Sequence, residues 1–420
     1  MFLKRLQQDG RFRVPDGWKI SLLDDLAKRG TGHTPDKRFP EYYGGGIKWV
    51  SLKDSDKLDR RWISDTEDEI SEAGIANSSA VLHPPGVVIV SRDAGVGKSA
   101  ITTEPMAVSQ HFVVWNCGPH LDNTFLYYWL QLTKKEFERV AVGSTIKTIG
   151  LPYFRKLDIL QPPIPEQQKI AAILSTWDRA IELTEKLIAA KQKRKQALMQ
   201  QLLTGKVRFK EFEGRSWKWV ELGKLTKSVK RPISWDDEQL YKLASIRRHS
   251  KGMFFREPAY GHQIKVKKLF TIEQNDFLIS NIQAAYGAMG LVPKKFHNTY
   301  ISDQYTVLIA KNEDAFDISF LGFISETSWF RHQILLACNG FFAERLRLLF
   351  SASELLKRKV FVPPSIEEQR RIVEVLRTAV RELKYDQSRL KYLKEQKKGL
   401  MQQLLTGKVR VNVDANTVNG

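Results

Sequence analysis

The residues that first suggest chemistry are Gly95-Val96-Gly97-Lys98-Ser99, a glycine-rich stretch ending in Lys-Ser that could cradle a phosphate. A phosphate-binding loop also needs a glycine five positions before the Gly of its Gly-Lys-Ser, and that position holds Arg92. With Ala100 the stretch fits the looser Gly-x-Gly-x-x-Ala dinucleotide pattern, after a strand-like Val87-Val88-Ile89-Val90. Either cradle depends on a following helix N-terminus, whose free N–H groups meet the anion. Here Ile101-Thr102-Thr103-Glu104-Pro105 follows, which does not continue as a helix. The second half offers Gly287-Ala288-Met289-Gly290 without a lysine, so a shared glycine turn is expected in place of a nucleotide site.

Other catalytic signatures are missing from the sequence: a Gly-x-Ser-x-Gly elbow, His-Glu-x-x-His, and the Asn/Asp-Pro-Pro-aromatic tetrapeptide of amino-methyltransferases. No carboxylates pair as an acid/base couple. Cys117 and Cys338 lie 221 positions apart, and His120 near the first lacks a second ligand pair. Neither a disulfide framework nor a metal site is indicated, no cofactor is expected, and a reducing cytoplasm fits best. The expectation is a binding protein, not an enzyme.

The charge says what is bound. Sixty-seven Lys and Arg against 47 Asp and Glu leave a formal net charge of +20, which points to a polyanion. An anionic membrane is the weaker choice, because no apolar run approaches the roughly 18 residues a span requires, and the opening Met1-Phe2-Leu3-Lys4-Arg5-Leu6 lacks the apolar stretch of a signal peptide. Nucleic acid remains.

The elements that would position such a binding surface come as a duplication. Leu198–Arg208 reads LMQQLLTGKVR, and Leu400–Arg410 repeats it 202 positions later. Upstream, Pro162-Pro163-Ile164-Pro165-Glu166-Gln167-Gln168-Lys169-Ile170 has a counterpart in Pro363-Pro364-Ser365-Ile366-Glu367-Glu368-Gln369-Arg370-Arg371-Ile372, with one extra residue in the second copy. Such a period is too long for a solenoid, so the chain reads as a domain plus a helix, twice. Looser echoes reach the preceding regions: Gly17-Trp18-Lys19 with Ser216-Trp217-Lys218, Ser91-Arg92 with Ser280-Asn281, Ser109-Gln110-His111 with Ser302-Asp303-Gln304, and Asp122 with Asp317, each opening a helix.

From Glu166 to Thr204 there is neither proline nor glycine, which predicts an unbroken helix of about 38 residues, roughly 57 Å long, stopped by Gly205. Ile170, Leu174, Trp177, Ile181, Thr184, Ile188, Lys191, Lys195, Leu198 and Leu202 alternate steps of four and three, a heptad seam with a polar interruption. The second copy gives Ile372, Leu376, Ala379, Leu383, Asp386, Leu390, Leu393, Lys397, Leu400 and Leu404, and carries Gly399 as a mild weakness. So narrow a seam must be covered. The economical partner is the other copy, in an antiparallel intramolecular coiled coil with pseudo-two-fold symmetry; two helices packed separately on their own domains are the alternative. The segments Glu166–Arg208 and Pro363–Arg410 carry +5 and +6, either a solvated basic face or a surface for DNA phosphate or an acidic partner.

These features resemble the specificity subunit of type I restriction–modification systems: the proline cluster at 162–168, the long heptad helix, the Leu-Leu-Thr-Gly-Lys ending, Gly143-Ser144-Thr145-Ile146-Lys147, and Tyr43-Gly44-Gly45-Gly46-Ile47-Lys48-Trp49. The resemblance implies an α+β chain. Two mixed α/β target-recognition domains, 1–161 and 211–362, would be separated by helical spacers, 162–210 and 363–410, with a tail at 411–420. It implies double-stranded DNA and two adenine methyltransferase subunits as partners, with a restriction–translocase subunit joining for cleavage. Methyl transfer, base flipping and ATP hydrolysis would belong to those partners. A stand-alone DNA-binding coiled-coil scaffold without a methyltransferase is the competing reading.

Where the first half has Gly143-Ser144-Thr145-Ile146-Lys147, the second has Glu344-Arg345-Leu346-Arg347-Leu348, and its opening Lys230-Arg231-Pro232-Ile233 lacks the glycine-rich turn. Unlike loops imply unlike half-sites, hence an asymmetric split target with a non-specific spacer. The candidate DNA contacts are Arg92, Lys98, Ser144, Thr145 and Lys147 in the first domain, and Asn281, Gln283, Tyr286 and Arg345 in the second. Arg, Asn and Gln offer the bidentate geometries that read guanine and adenine.

Overall fold

The computed structural model describes residues 13–342 and 347–413. The chain forms two compact units, Met1–Glu185 with Ser388–Gly420, and Lys186–Gln387. Each unit therefore takes one globular region and a stretch of both long helices. Among the described residues, no helix is long and apolar enough to cross a membrane.

The two units share a sheet topology. In the first, Ala27–Thr31, Phe112–Cys117, Val88–Ser91 and Ser99–Thr102 lie side by side as antiparallel neighbours, with Trp62–Ile63 added parallel at the edge. In the second, Thr226–Val229, Tyr305–Ala310, Phe277–Ser280 and Met289–Leu291 follow the same order. Successive strand residues face opposite sides, and both sides are covered. Val88 and Val90 pack with Phe125, Trp129 and Leu130, while Val87 and Ile89 pack with Val50 and Val108. The continuous apolar run 87–90 is thus a strand buried on both faces. In the second unit Phe277 and Ile279 face one core and Leu278 the other.

The helices covering these sheets begin where the two aspartates stand. Asp122 caps Asn123–Val140 by accepting from Phe125 N at 2.8 Å, and Asp317 caps Ile318–Ile324 by accepting from Ser319 N at 2.8 Å. The second unit breaks the element in two. Ser325-Glu326-Thr327 intervenes, and Thr327 caps Ser328–Leu336.

The central helix spans Ile164–Leu202 and the distal helix Ile366–Leu404, 39 residues each. Beyond them Gly205 and Gly407 sit at φ +68° and +67°, and Val207 N and Val409 N reach back to Gln201 O and Gln403 O at 3.3 and 3.2 Å. That left-handed turn favours glycine. At Gly407 an added Cβ would also lie 2.3 Å from Pro15 Cγ.

The repeated motifs prove to be one clasp, built once in each unit. In the first, the Glu166 carboxylate, 3% exposed, accepts from Trp18 Nε1 at 2.9 Å and from Arg410 Nε and Nη2 at 2.7 and 2.8 Å. In the second, Glu368, 1% exposed, accepts from Trp217 Nε1 at 3.1 Å and from Arg208 Nε and Nη2 at 2.8 and 2.7 Å. Gln167 donates to His120 O and Pro162 O and accepts from Asp122 N. Gln369 repeats this with Ala315 O, Pro363 O and Asp317 N. The extra residue of the second copy therefore lies between its prolines and its Glu-Gln.

Helix partners within each unit are equally specific. In the first, Ile170 and Leu174 share a core with Met401, Leu404 and Leu405; Asp178 pairs with Lys397, and Glu185 with Lys394 at 2.6 Å. In the second, Met199 and Leu202 share a core with Ile372 and Leu376; Lys191 reaches Asp386 at 2.7 Å and Glu382 at 3.3 Å, and Lys195 reaches Glu326 at 2.7 Å. The polar seam positions Lys191, Lys195, Asp386 and Lys397 are thus each met by an opposite charge. Thr184 turns its hydroxyl to Ala180 O.

Candidate nucleic-acid interface

In the first unit a single buried carboxylate ties three loops together. Asp93, in the turn between Val88–Ser91 and Ser99–Thr102, is 8% exposed. It accepts from Thr148 Oγ1 at 2.6 Å and pairs with His111 Nδ1 at 2.8 Å. Val142 and Thr148 exchange backbone hydrogen bonds at 3.0 and 2.8 Å, closing a loop whose tip, residues 143–147, is exposed. Gly143 is indispensable to that tip: φ is +124°, and a Cβ would sit 2.2 Å from Ile146 O. Ser144, Thr145 and Lys147 therefore stand in solvent on a backbone pinned at both ends.

The remaining two candidates of this unit are engaged internally. Arg92 donates Nε to Ile149 O at 2.9 Å and Nη1 to Gln110 O at 3.3 Å, so it staples the loop base. Lys98 Nζ donates to Ser55 O and Oγ at 2.9 and 3.1 Å. The Gly95–Lys98 turn joins two antiparallel strands, with Gly95 and Gly97 at φ +126° and +81°. Lys98-Ser99 opens a strand there and not a helix, so the helix-terminal anion cradle is missing.

In the second unit Asn281 is likewise a clasp: Oδ1 accepts from Thr306 Oγ1 at 2.7 Å, its N–H donates to Gln304 O at 2.9 Å, and its carbonyl accepts from Phe350 N at 3.0 Å. Gln283 opens a short helical turn, Ala284–Tyr286, ended by Gly287 at φ +72°. Tyr286 is 51% exposed, and Arg248 lies over its ring, 4.7 Å from the centroid. Arg345 lies outside the described residues. The structure thus places Gln283 and Tyr286 together on one turn and adds Arg248, which sequence reading missed. It also missed Asp93, His111 and Thr148; the pairing of Ser109-Gln110-His111 with Ser302-Asp303-Gln304 was the available signal. Burial pushes the Cys117 thiol up to about 12, which disfavours the nucleophilic thiolate.

Known proteins match this arrangement. Residues 15–191 match the model of the type I restriction modification DNA specificity domain. The chain is 24% identical over 428 residues to the type I restriction enzyme MjaVIII specificity subunit of Methanocaldococcus jannaschii, covering 95% of this chain and 94% of that one. A local match of 29% over 176 residues, 41% of either chain, joins it to the MjaIX specificity subunit of the same organism. The crystal structure of the type I restriction–modification S subunit from M. genitalium superposes with a TM-score of 0.58 at 16% identity, over 93% of this chain and 96% of that one, which establishes a common fold. With the duplicated clasp and the matched sheets, these likenesses make residues 15–191 similar to a type I restriction modification DNA specificity domain, and nearly the whole chain similar to type I specificity subunits.

Proposed function

We propose that this chain is the non-catalytic, sequence-reading subunit of a type I restriction–modification enzyme. It binds double-stranded DNA and selects a split, asymmetric target, one half-site per unit, for an adenine methyltransferase. Two methyltransferase subunits assemble on it, and a restriction subunit joins for cleavage, in the cytoplasm where the DNA is. The recognition domains are 1–161 and 211–362, and the helical segments 162–210 and 363–410 act as spacers and docking surfaces, paired as an antiparallel coiled coil with pseudo-two-fold symmetry. The order of the ion pairs supports this pairing: Glu166, Asp178 and Glu185 ascend as Arg410, Lys397 and Lys394 descend.

One observation carries the reading: two units share clasp and strand order but present different loops. A common skeleton holds two readers, and unlike loops read unlike sequences. Ser144, Thr145 and Lys147 in the first unit, and Gln283 and Tyr286 in the second, are the exposed or half-exposed groups from which base and phosphate contacts are drawn. Arg92, Lys98 and Asn281 support these loops.

The test is co-expression with the host methyltransferase subunit in a methylation-free strain, followed by methylation-sensitive sequencing. The expected result is methyladenine in one split, non-palindromic motif, with both subunits co-purifying. A chain that purifies alone and binds DNA without directing methylation would be the stand-alone scaffold instead.

A further inference from the structure

The hairpin tip Arg247–Gly252 is a basic exposed turn in the second unit, and no motif in the sequence marks it. Ala244–Ile246 pairs with Met253–Phe255, and Arg247 N donates to Gly252 O at 2.9 Å to close the tip. His249 and Ser250 both adopt positive φ, +59° and +54°. Side chains other than glycine rarely take that conformation, and the strain persists only where surrounding contacts offset it. Here they do: His249 N donates to Tyr286 O at 2.7 Å and Ser250 N to Gly287 O at 2.9 Å. The tip is thereby docked on the glycine turn.

Two arginines ride on this docked tip. Arg248 covers the exposed ring of Tyr286, and Arg247 lies 4.4 Å from the centroid of Phe254. Stacking uses the flat face of a guanidinium and leaves its in-plane N–H fork free to donate. Among the described residues, Arg247, Arg248 and Lys251 form no ion pair with a carboxylate.

The same place in the first unit is built from opposite charges. Trp49–Lys57 reads WVSLKDSDK and Leu243–Lys251 reads LASIRRHSK. The strand register agrees, since Trp49 pairs parallel with Ala107 and Leu243 bridges parallel to Tyr300. Where Arg248 stands, the first unit has Asp54, fully buried and capping Ser51 N at 2.9 Å. Lys53 is bound to Asp68 at 2.8 Å and Lys57 to Glu67 at 2.9 Å, and these hydrogen bonds hold both ammonium groups above their usual range. That loop is internally neutralised; the one in the second unit is not.

We infer that Arg248, preorganised on Tyr286, is a specificity-determining residue that reads a guanine edge in the half-site of the second unit, while Lys251 binds backbone phosphate. The inference rests on the DNA-reading role proposed above. A stacked guanidinium has given up little further entropy when it binds, and its fork matches guanine O6 and N7.

The test uses the full chain with its methyltransferase subunit, comparing wild type, Arg248→Ala, Arg248→Lys and Lys251→Ala by methylome sequencing and DNA titration. Arg248→Ala should admit other bases at one position of one half-site and weaken binding to the native target about 5- to 150-fold. Arg248→Lys keeps the charge and loses the fork, so it should relax the same position. Lys251→Ala should weaken all sequences alike and lower the salt slope by about 1. Should Arg248→Ala leave the motif unchanged, or Arg248→Lys restore it, the inference falls while the DNA-reading role stands. A wild-type complex that methylates no defined motif removes both.

Discussion

The two units can be compared where their strands end. The skeleton on which each loop set is mounted is almost interchangeable: Trp18, Glu166 and Arg410 in one, Trp217, Glu368 and Arg208 in the other. The loops themselves have little in common. In the first unit Asp93 gathers three loops through side-chain hydrogen bonds; in the second, backbone bonds from His249 and Ser250 to the Tyr286–Gly287 turn do the gathering. Duplication followed by divergence leaves this pattern when the supports must keep their geometry and the readers must not agree.

The supports offer the sharpest way to test that comparison. Glu368→Ala strands Arg208 and Trp217 Nε1 beside a buried gap, and losing one member of a buried pair typically costs about 3–5 kcal/mol. Glu166→Ala breaks the matching clasp, but the Arg410 side chain is 42% exposed against 17% for Arg208. Solvent screens the more exposed pair and can rehydrate its abandoned guanidinium, so the loss should be smaller. Urea unfolding of the two variants checks the order; equal losses would mean that the clasps are energetically alike despite their exposure.

Much of this skeleton was legible because it is local or repeated. The central helix follows from the lack of proline and glycine between Glu166 and Thr204, the distal helix from the matching heptad seam despite Gly399, and the caps from Asp122 and Asp317 ahead of apolar runs. What the repeat hides is who touches whom. Each LLTGKVR ending closes on the Glu-Gln of the other copy, Arg208 on Glu368 and Arg410 on Glu166, a contact across 160 and 244 positions that no periodicity encodes. The loops were less legible still. Arg92 has the residue type of a base reader, but its Nε and Nη1 donate to the Ile149 and Gln110 carbonyls. Conversely Arg248 carries no motif, and only its stacking on Tyr286 distinguishes it from any surface arginine.

Loop glycines sharpen the comparison one step further. Gly143→Ala forces a Cβ to within 2.2 Å of Ile146 O at φ +124°, whereas at Gly287, φ +72°, the nearest atoms are those of His249 at 3.5 Å. The first must remodel the exposed tip that carries Ser144, Thr145 and Lys147. The second adds only the left-handed strain, about 1 kcal/mol. Gly143→Ala should therefore degrade reading of one half-site with little change in melting temperature, and Gly287→Ala should leave both half-sites read. Loss of sequence choice in the second variant and not the first would reverse the assignment of a rigid tip to the first unit.

The smallest expected effect lies in the helices, at the position just ahead of their identical segments. The distal helix has Gly399, and 202 positions earlier the central helix has Ala197. Glycine within a helix costs roughly 0.5–1 kcal/mol relative to alanine, through backbone entropy that the folded state must remove. At Gly399 no heavy atom lies within 4 Å of an added Cβ, so no packing requires the smaller residue. Gly399→Ala should raise stability by about that amount in urea unfolding and leave the methylated motif unchanged. Because this glycine lies in Ser388–Gly420, the part of the distal helix grouped with the first unit, the gain should appear in the unfolding of that unit. A destabilised Gly399→Ala protein would mean that the distal helix needs the local freedom that Ala197 denies the central one.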